Sequence, residues 1–531
     1  MPKHMPRYVR VGVATLPLFA LLTASVAAPA PAEGAAARAA AGSLRFVNSW
    51  SKTVPDGSPI SLSSPNIAVL HGAPAVVVGD NGGDVNALFL SNGATVPGWP
   101  ASTGGVPVKS TPSVAALSPG SPDDSVFVGA GTPADPHEGG YEAFNPNGTK
   151  LWSVGVHNPN KPYVSGIVAS TAVGDLQGKI AVVAPSVGDQ EDAINASTGA
   201  VLPGFPWFTG DGDFATPALA NFNAAATTDG KRPVSRTGND LTGNELTGNE
   251  LTGNELTGND LTGNDAVDIV NGGGQFPGIA FGTHFTQGGH VGVLRPTGNA
   301  GTNNRHGGLI CQYNPDESVD SSPAVGTFLP GGKWGIAVGT GNIFPGASDS
   351  GDVLVLGPHC QLVWARKLDG LTQSSPALAD ILGNGTLSVI EGTDNQRGGG
   401  SVWALNAQNG HVLWHTPVHG EIMGGCVTAD LGAGYHDVIV ATTGGAFVLD
   451  GRTGTLLATL ETGVGLQNSA LVTDDTDGWT GVTLAGYNGY NRGVVEHYEL
   501  AGSKGYLADE PGSWPMFHHD STLSGNADLT S

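Results

Sequence analysis

The chain is poor in charge, and the charge it has is one-sided. Only 13% of its 531 residues are Asp, Glu, Lys or Arg, with 22 cations against 46 acids and a formal charge of −24. Such a surface repels phosphate backbones and anionic lipid, so neither nucleic acid nor a membrane surface is an expected partner. Cysteine is scarce: Cys311, Cys360 and Cys426 are too few for a disulfide framework in so long a chain. Long apolar runs are absent outside the N-terminus, and no second one follows that could span a membrane. Catalytic signatures are missing too: there is no Gly-x-Ser-x-Gly, His-Glu-x-x-His, P-loop or Cys-x-x-Cys-His.

What is abundant is glycine, 83 residues, and proline, 36, punctuating many short apolar runs. That composition is an all-β prior. The N-terminus reads as a secretory signal over residues 1–32: Lys3, Arg7 and Arg10, an apolar stretch over 11–26, then small residues around Ala27-Ala28-Pro29-Ala30. Residues 33–43 read as a linker. No cysteine stands where a lipid anchor would need one, and the end, NADLTS, carries no apolar tail. The expected location is therefore extracellular, by secretion.

Residues 373–414 are the clearest copy of a recurring unit. Ser374-Ser375-Pro376-Ala377-Leu378-Ala379 forms a small-residue strand, Leu387 to Gly392 a second, Ser401 to Asn406 a third and His411 to Trp414 a fourth. Asn409-Gly410 between two apolar runs is a strong hairpin signal, because both residues accept φ > 0. Comparable units open at Ser63-Ser64-Pro65, Ser110-Thr111-Pro112, Ser170-Thr171-Ala172, Ala215-Thr216-Pro217 and Ser321-Ser322-Pro323. Two more open near Cys426, where the others have Pro, and near Asn468-Ser469-Ala470. The last unit lacks an outer strand, and the lone strand around Trp50 is the right size to supply it. Closing a ring this way removes exposed edges. The expectation is an all-β, eight-bladed β-propeller over residues 44–503, with seven blades as the alternative. Small residues fit the first strands near the axis, and an outer Trp fits where blades diverge. Asp175, Asp380, Asp430 and Asn221, just after first strands, are expected to bond backbone amides and fix turns.

The fourth unit is interrupted by residues 224–265, which contain tandem LTGN[DE] repeats. One Leu per five residues cannot bury enough apolar surface to order itself, so the insertion reads as a disordered loop; a short pentapeptide-repeat coil is the other reading. Residues 504–531 form a tail expected to dock on the propeller. Its His518-His519-Asp520 suggests a metal, but adjacent histidines without a third ligand read as packing. Cys311 falls where other units have the outer Trp. It and Cys360 lie in successive units and are open to pairing, but the reading adopted is buried, inert thiols. The best calcium candidate is Asp474, Asp475 and Asp477 in Asp-Asp-Thr-Asp-Gly, because hard Ca²⁺ takes several oxygens from one tight turn. Asp211 and Asp213, in Gly-Asp-Gly-Asp, are a second acidic pair.

Ala404-Leu405-Asn406-Ala407-Gln408-Asn409-Gly410-His411-Val412-Leu413-Trp414 resembles the tryptophan-docking motif of pyrroloquinoline-quinone-type (PQQ-type) propellers, Ala-x-Asp-x-x-x-Gly-x-x-x-Trp. Ala193-Ile194-Asn195 with Thr198-Gly199, and Leu449-Asp450 with Thr453-Gly454, are partial copies. The unit openings and the tail Trp514-Pro515-Met516-Phe517 are similar to exported bacterial proteins of that superfamily and to FG-GAP/VCBS propellers. In the superfamily the docking Trp is structural, so the resemblance implies a fold and no chemistry. The quinone enzymes carry a vicinal disulfide over the cofactor, and this chain has no adjacent cysteines. PQQ is therefore not expected, and no cofactor beyond Ca²⁺ is. The expected function is a non-enzymatic, monomeric binding scaffold for an extracellular protein or glycan. The alternative is a carbohydrate-active or quinone-dependent enzyme using the central funnel, which two or more convergent carboxylates there would favour.

Overall fold

A computed structural model describes residues 43–118, 120–132, 135–156, 166–209, 213–222, 267–274, 288–300, 307–341, 351–395, 397–475, 478–503 and 512–529. The signal segment, the whole of the LTGN[DE] insertion, Asp211 and Asp477 lie outside these residues. Among the described residues there is no helix, and the strands form eight antiparallel sheets, one per blade. In blade 6 the order from the axis outwards is Ala377–Ala379, Ser388–Gly392, Gly399–Asn406 and Val412–His419. Blades 1 to 5 and 7 repeat this order over residues 66–102, 113–154, 172–208, 218–313, 324–367 and 427–460. Blade 8 has Leu471–Asp474, Thr480–Asn488 and Gly493–Ala501, and its outer strand is Arg45–Thr53 from the other end of the chain. The ring is therefore closed by the strand carrying Trp50, as the missing outer strand required.

Blade faces carry Val, Ala, Ile and Leu on alternate residues of the middle strands, and neighbouring blades bury these against each other. One core cluster joins Val353, Val355 and Trp364 of blade 5 to Val389, Leu405 and Ala407 of blade 6. A girdle of outer tryptophans ties five of the eight blades to the next. Trp50, Trp99, Trp152, Trp364 and Trp414 each donate their indole N–H to a backbone carbonyl in the hairpin turn of the following blade, at 2.7–3.0 Å. Most of these rings lie on a glycine of that turn. A Cβ on Gly410, whose φ is +67°, would stand 2.6 Å from Trp364 Cε3, and one on Gly454 would stand 2.6 Å from Trp414 Cε3. The motif's Gly thus serves two needs, a left-handed turn and a flat seat for an indole.

Blade 4 breaks the pattern, and the break explains two cysteines. Cys311 occupies the tryptophan position, and Cys360, with φ +56°, lies in the turn of blade 5 where others have the docking glycine. The two form a disulfide, with Cα atoms 5.6 Å apart. The reading of inert thiols is corrected for this pair: a covalent link replaces the indole dock between blades 4 and 5. Cys426 is buried and free.

The tail enters the axial channel and touches the inner strand of every blade. Gly512 O accepts from Asp380 N in blade 6, Trp514 O from Thr428 N in blade 7 and Pro515 O from Val472 N in blade 8. Ser521 O then accepts from Asn66 Nδ2 in blade 1 and Val114 N in blade 2. Thr522, Ser524 and Gly525 carbonyls take Val173, Leu219 and Val325 N–H in blades 3, 4 and 5. Unfilled inner-strand N–H groups explain why the tail binds there: a buried donor without an acceptor is costly.

Candidate functional site: the cup at the channel mouth

At the end where the inner strands begin, the axis opens into a cup of about 300 Å³. The residues that begin each inner strand build it in two tiers, because alternate side chains of a strand point the same way. The lower tier is Ser64, Thr111, Ser170, Thr216, Ser322 and Ser375, with Gly425 and Ser469 completing the eight positions. Their hydroxyls form a circular relay between blades. Ser64 N donates to Thr111 Oγ1, Thr111 N to Ser170 Oγ, Ser170 N to Thr216 Oγ1, Thr216 N to Ser322 Oγ and Ser322 N to Ser375 Oγ, at 2.8–3.1 Å. Ser469 N closes the circle on Ser64 Oγ at 3.0 Å. Gly425 has no hydroxyl, so the relay is broken at blade 7. The serine one residue earlier points into its own blade: Ser63, Ser110, Ser321 and Ser374 accept the N–H of Gly79, Gly129, Gly339 and Gly392. Every hydroxyl of the Ser-Ser-Pro signature therefore has a structural task.

The upper tier lies two residues before the lower. It supplies four apolar side chains, Leu62, Val168, Phe214 and Met423, and four polar ones, Lys109, Asp320, Gln373 and Gln467. Phe517 of the tail lines the cup from below. Asp320 is the one carboxylate among the described lining residues. Burial pushes its pKa up to about 6, and a hydrogen bond from Ser318 offsets this in part. Lys109 makes no ion pair or hydrogen bond with a described residue. Two charged groups of opposite sign thus stand apart in a largely apolar, aromatic-floored pocket.

The sequence candidates lie elsewhere. Asp474 and Asp475 sit on the opposite end of the channel, where blade 8's first strand turns into its second. Asp475 is committed to His497 Nε2 at 3.1 Å and Thr473 Oγ1 at 3.4 Å. His518 Nδ1 and Nε2 contact the carbonyls of Leu523 and Pro323 at 2.7 and 3.0 Å. Burial lowers the His518 pKa. Asp520 turns back onto Thr522 and Ser524. The His-His-Asp run thus packs the plug and does not converge on one point. Asp380 and Asp430 do fix their turns as expected, through Asn384 and Gly385 N–H and through Gly432, Ala433 and Gly434 N–H. Asp213 is buried in the segment between blades 3 and 4.

Three acids that sequence reasoning passed over come together on the cup side of blade 1. Carboxylate oxygens of Asp56, Asp80 and Asp84 all lie within 4.8 Å of one another, a donor set of the hard-oxygen kind. Desolvation raises the pKa of Asp80 to about 6 and also raises that of Asp84. Asp80 also has a turn role: it accepts the N–H of Gly82 and Asp84, much as Thr340 Oγ1 accepts Asp352 N in blade 5. The signal was Gly79-Asp80-Asn81-Gly82-Gly83-Asp84, but Asp56 is remote in sequence. Glu391 was also unforeseen. It is fully buried where other blades carry Val78, Val128, Val338 or Val440, and desolvation raises its pKa well above the carboxylate range.

The family model described as outer membrane protein assembly factor BamB matches residues 295–478. No curated protein matches the sequence. Among solved structures, the quinohemoprotein alcohol dehydrogenase of Comamonas testosteroni is 14% identical, with 86% of this chain and 77% of that one covered and a TM-score of 0.53. A second such dehydrogenase, from Pseudomonas putida HK5, is 12% identical with 91% and 84% covered at 0.52. A europium-containing methanol dehydrogenase is 13% identical, with 86% and 93% covered and a TM-score of 0.50. At such identities the likeness is one of fold. The fold is that of the PQQ-like β-propellers. The chain has no adjacent cysteines, and the described lining of the cup holds a single carboxylate, Asp320.

Proposed function

We propose that this PQQ-like propeller is an exported binding module, not an enzyme, and that the cup with its surrounding loops faces the ligand. The observation that carries the reading is the cup's make-up. General acid–base chemistry of the glycosidase kind needs two carboxylates flanking one bond. The described lining has Asp320 alone, and the axis beneath it is filled by the tail. The girdle, the disulfide and the plug all favour a rigid body, which suits a scaffold whose recognition loops are presented at one face. An extracellular protein or glycan is the partner class that fits an acidic surface. The test is to purify the secreted protein, assay dye-linked alcohol oxidation after incubation with quinone and Ca²⁺, and screen a glycan array in parallel. Turnover with stoichiometric quinone uptake would overturn the reading; binding without turnover supports it.

A further inference from the structure

We infer that the cup binds a small zwitterion with an apolar body, of the class of a free α-amino acid or dipeptide with aromatic or branched side chains. This deepens the reading of the cup as a binding site and rests on it. The inference comes from what the upper tier leaves unpaired. Lys109 on blade 2 has no counter-ion among described residues, and Asp320 on blade 5 forms no ion pair with it. They face one pocket from two sides, and they are the only charged side chains in its described lining. Unpaired charges of both signs in a confined, partly desolvated space are complementary to a molecule carrying both opposite charges. A carboxylate would go to the Lys109 ammonium and an ammonium to the Asp320 carboxylate.

The space between the charges is apolar. Phe214 is on blade 4, next to the blade of Asp320, and Met423 stands on blade 7. Phe517 supplies an aromatic ring below. Pockets of this size and lining, with a few polar groups that fix orientation, are the usual small-molecule sites. The hydroxyls of the lower tier sharpen the picture. Ser64, Thr111, Ser170, Thr216, Ser322 and Ser375 each accept a backbone N–H, and none gives its own proton to a described acceptor. They can therefore donate upwards to carboxylate or peptide oxygens.

The test uses the full-length secreted protein and three probes of one shape: phenylalanine, 3-phenylpropionate without the ammonium, and phenethylamine without the carboxylate. Binding is followed by calorimetry and by saturation-transfer NMR. Phenylalanine is expected to bind at least about tenfold tighter than either analogue, since each lost charge strands its partner in the pocket. K109M should weaken phenylalanine about tenfold and leave phenethylamine unchanged; D320N should weaken phenylalanine similarly and leave 3-phenylpropionate unchanged. Both side chains are partly buried, and unchanged thermal unfolding will show that the variants fold. Lowering the pH through about 6 protonates Asp320 and should weaken the two ammonium probes only. Ser318 bonds the Asp320 carboxyl, Asp316 and Glu317 share its segment, and Lys109 is the opposing charge; the D320N control separates Asp320 from these. Equal binding of all three probes would overturn the zwitterion while leaving the binding-module reading intact. No binding of any probe at millimolar concentration overturns the zwitterion too, and the glycan screen then decides the broader reading alone.

Discussion

Replacing Asp520 by alanine tests whether the tail holds the ring together. The carboxylate is fully buried in the channel. Its Oδ1 accepts the N–H of Thr522 at 2.9 Å, the N–H of Ser524 at 3.2 Å and the Thr522 hydroxyl at 2.6 Å. Its Oδ2 takes the Ser524 hydroxyl and faces His519 Nδ1 at 3.3 Å. Burial by itself would raise its pKa; the bonds from His519, Ser524 and Thr522 outweigh burial and hold it below the usual carboxylate value. In D520A two buried backbone N–H groups lose their acceptor, at about 1–3 kcal/mol each, so the loss is about 4 kcal/mol. D520N keeps an oxygen at the Oδ1 position and loses the acceptor at Oδ2, for about 1–2 kcal/mol. Because the folded pKa is depressed, this stabilisation is complete above the unfolded carboxylate pKa and is lost as pH falls through the folded one. The gap between wild type and D520A should therefore be full at about pH 7 and shrink in strong acid. Urea unfolding at both pH values measures it. Limited proteolysis, read by mass, shows whether residues 512–529 open before the blades do. A D520A protein within about 0.5 kcal/mol of wild type, with an equally protected tail, would refute the closure role.

Gly410→Ala should cost about 2–4 kcal/mol, from the left-handed φ and the close approach to Trp364, and is read by thermal unfolding with Trp fluorescence. Reducing the Cys311–Cys360 disulfide should lower stability by about 2–4 kcal/mol. The double variant C311W/C360G, which rebuilds an indole dock on a glycine, should unfold at the same denaturant concentration with and without reductant; C311W alone, also without the disulfide, should unfold at a lower concentration than the double variant, because Cys360 fills the seat. Desolvation raises the pKa of Asp192, which accepts from Tyr141 Oη, to about 7, and that of Asp268 to about 7. A carboxyl with a raised folded pKa is best tolerated when protonated, so these groups make stability fall as pH rises from about 4 to 7. D192N should flatten that slope by up to roughly 3–4 kcal/mol in chemical denaturation; an unchanged pH profile would show that Asp192 ionises freely in the fold.

Much of this architecture was legible in the chain because its causes are local. Asn409-Gly410 marks a hairpin wherever it sits, and Ser374-Ser375-Pro376 has few uses other than a crowded inner strand. The missing outer strand of blade 8 pointed to Trp50, because a ring cannot leave a blade open. The turn aspartates Asp380 and Asp430 bond amides only a few residues away, so spacing predicted them. Cys311 stands in the tryptophan place, but the sequence leaves its pairing with Cys360 open, because Cys360 sits in a turn that only the next blade's packing brings near. The acids of the blade 8 turn formed the better-looking motif, yet the oxygens that converge are those of Asp56, Asp80 and Asp84, drawn from two separate segments.

The cup shows the division most plainly. The sequence by itself pointed to eight blades over seven, to small residues at their inner edges and to a tail docked on the propeller. Alternating side chains and turn chemistry act within a few residues, so the pattern carries them. Only the tertiary structure decided that Lys109 and Asp320 share a pocket with Phe214 and Phe517, that six hydroxyls link the blades in a relay, and that the tail reaches every inner strand. Those relations join residues far apart in the chain, and closing the ring is what brings them together.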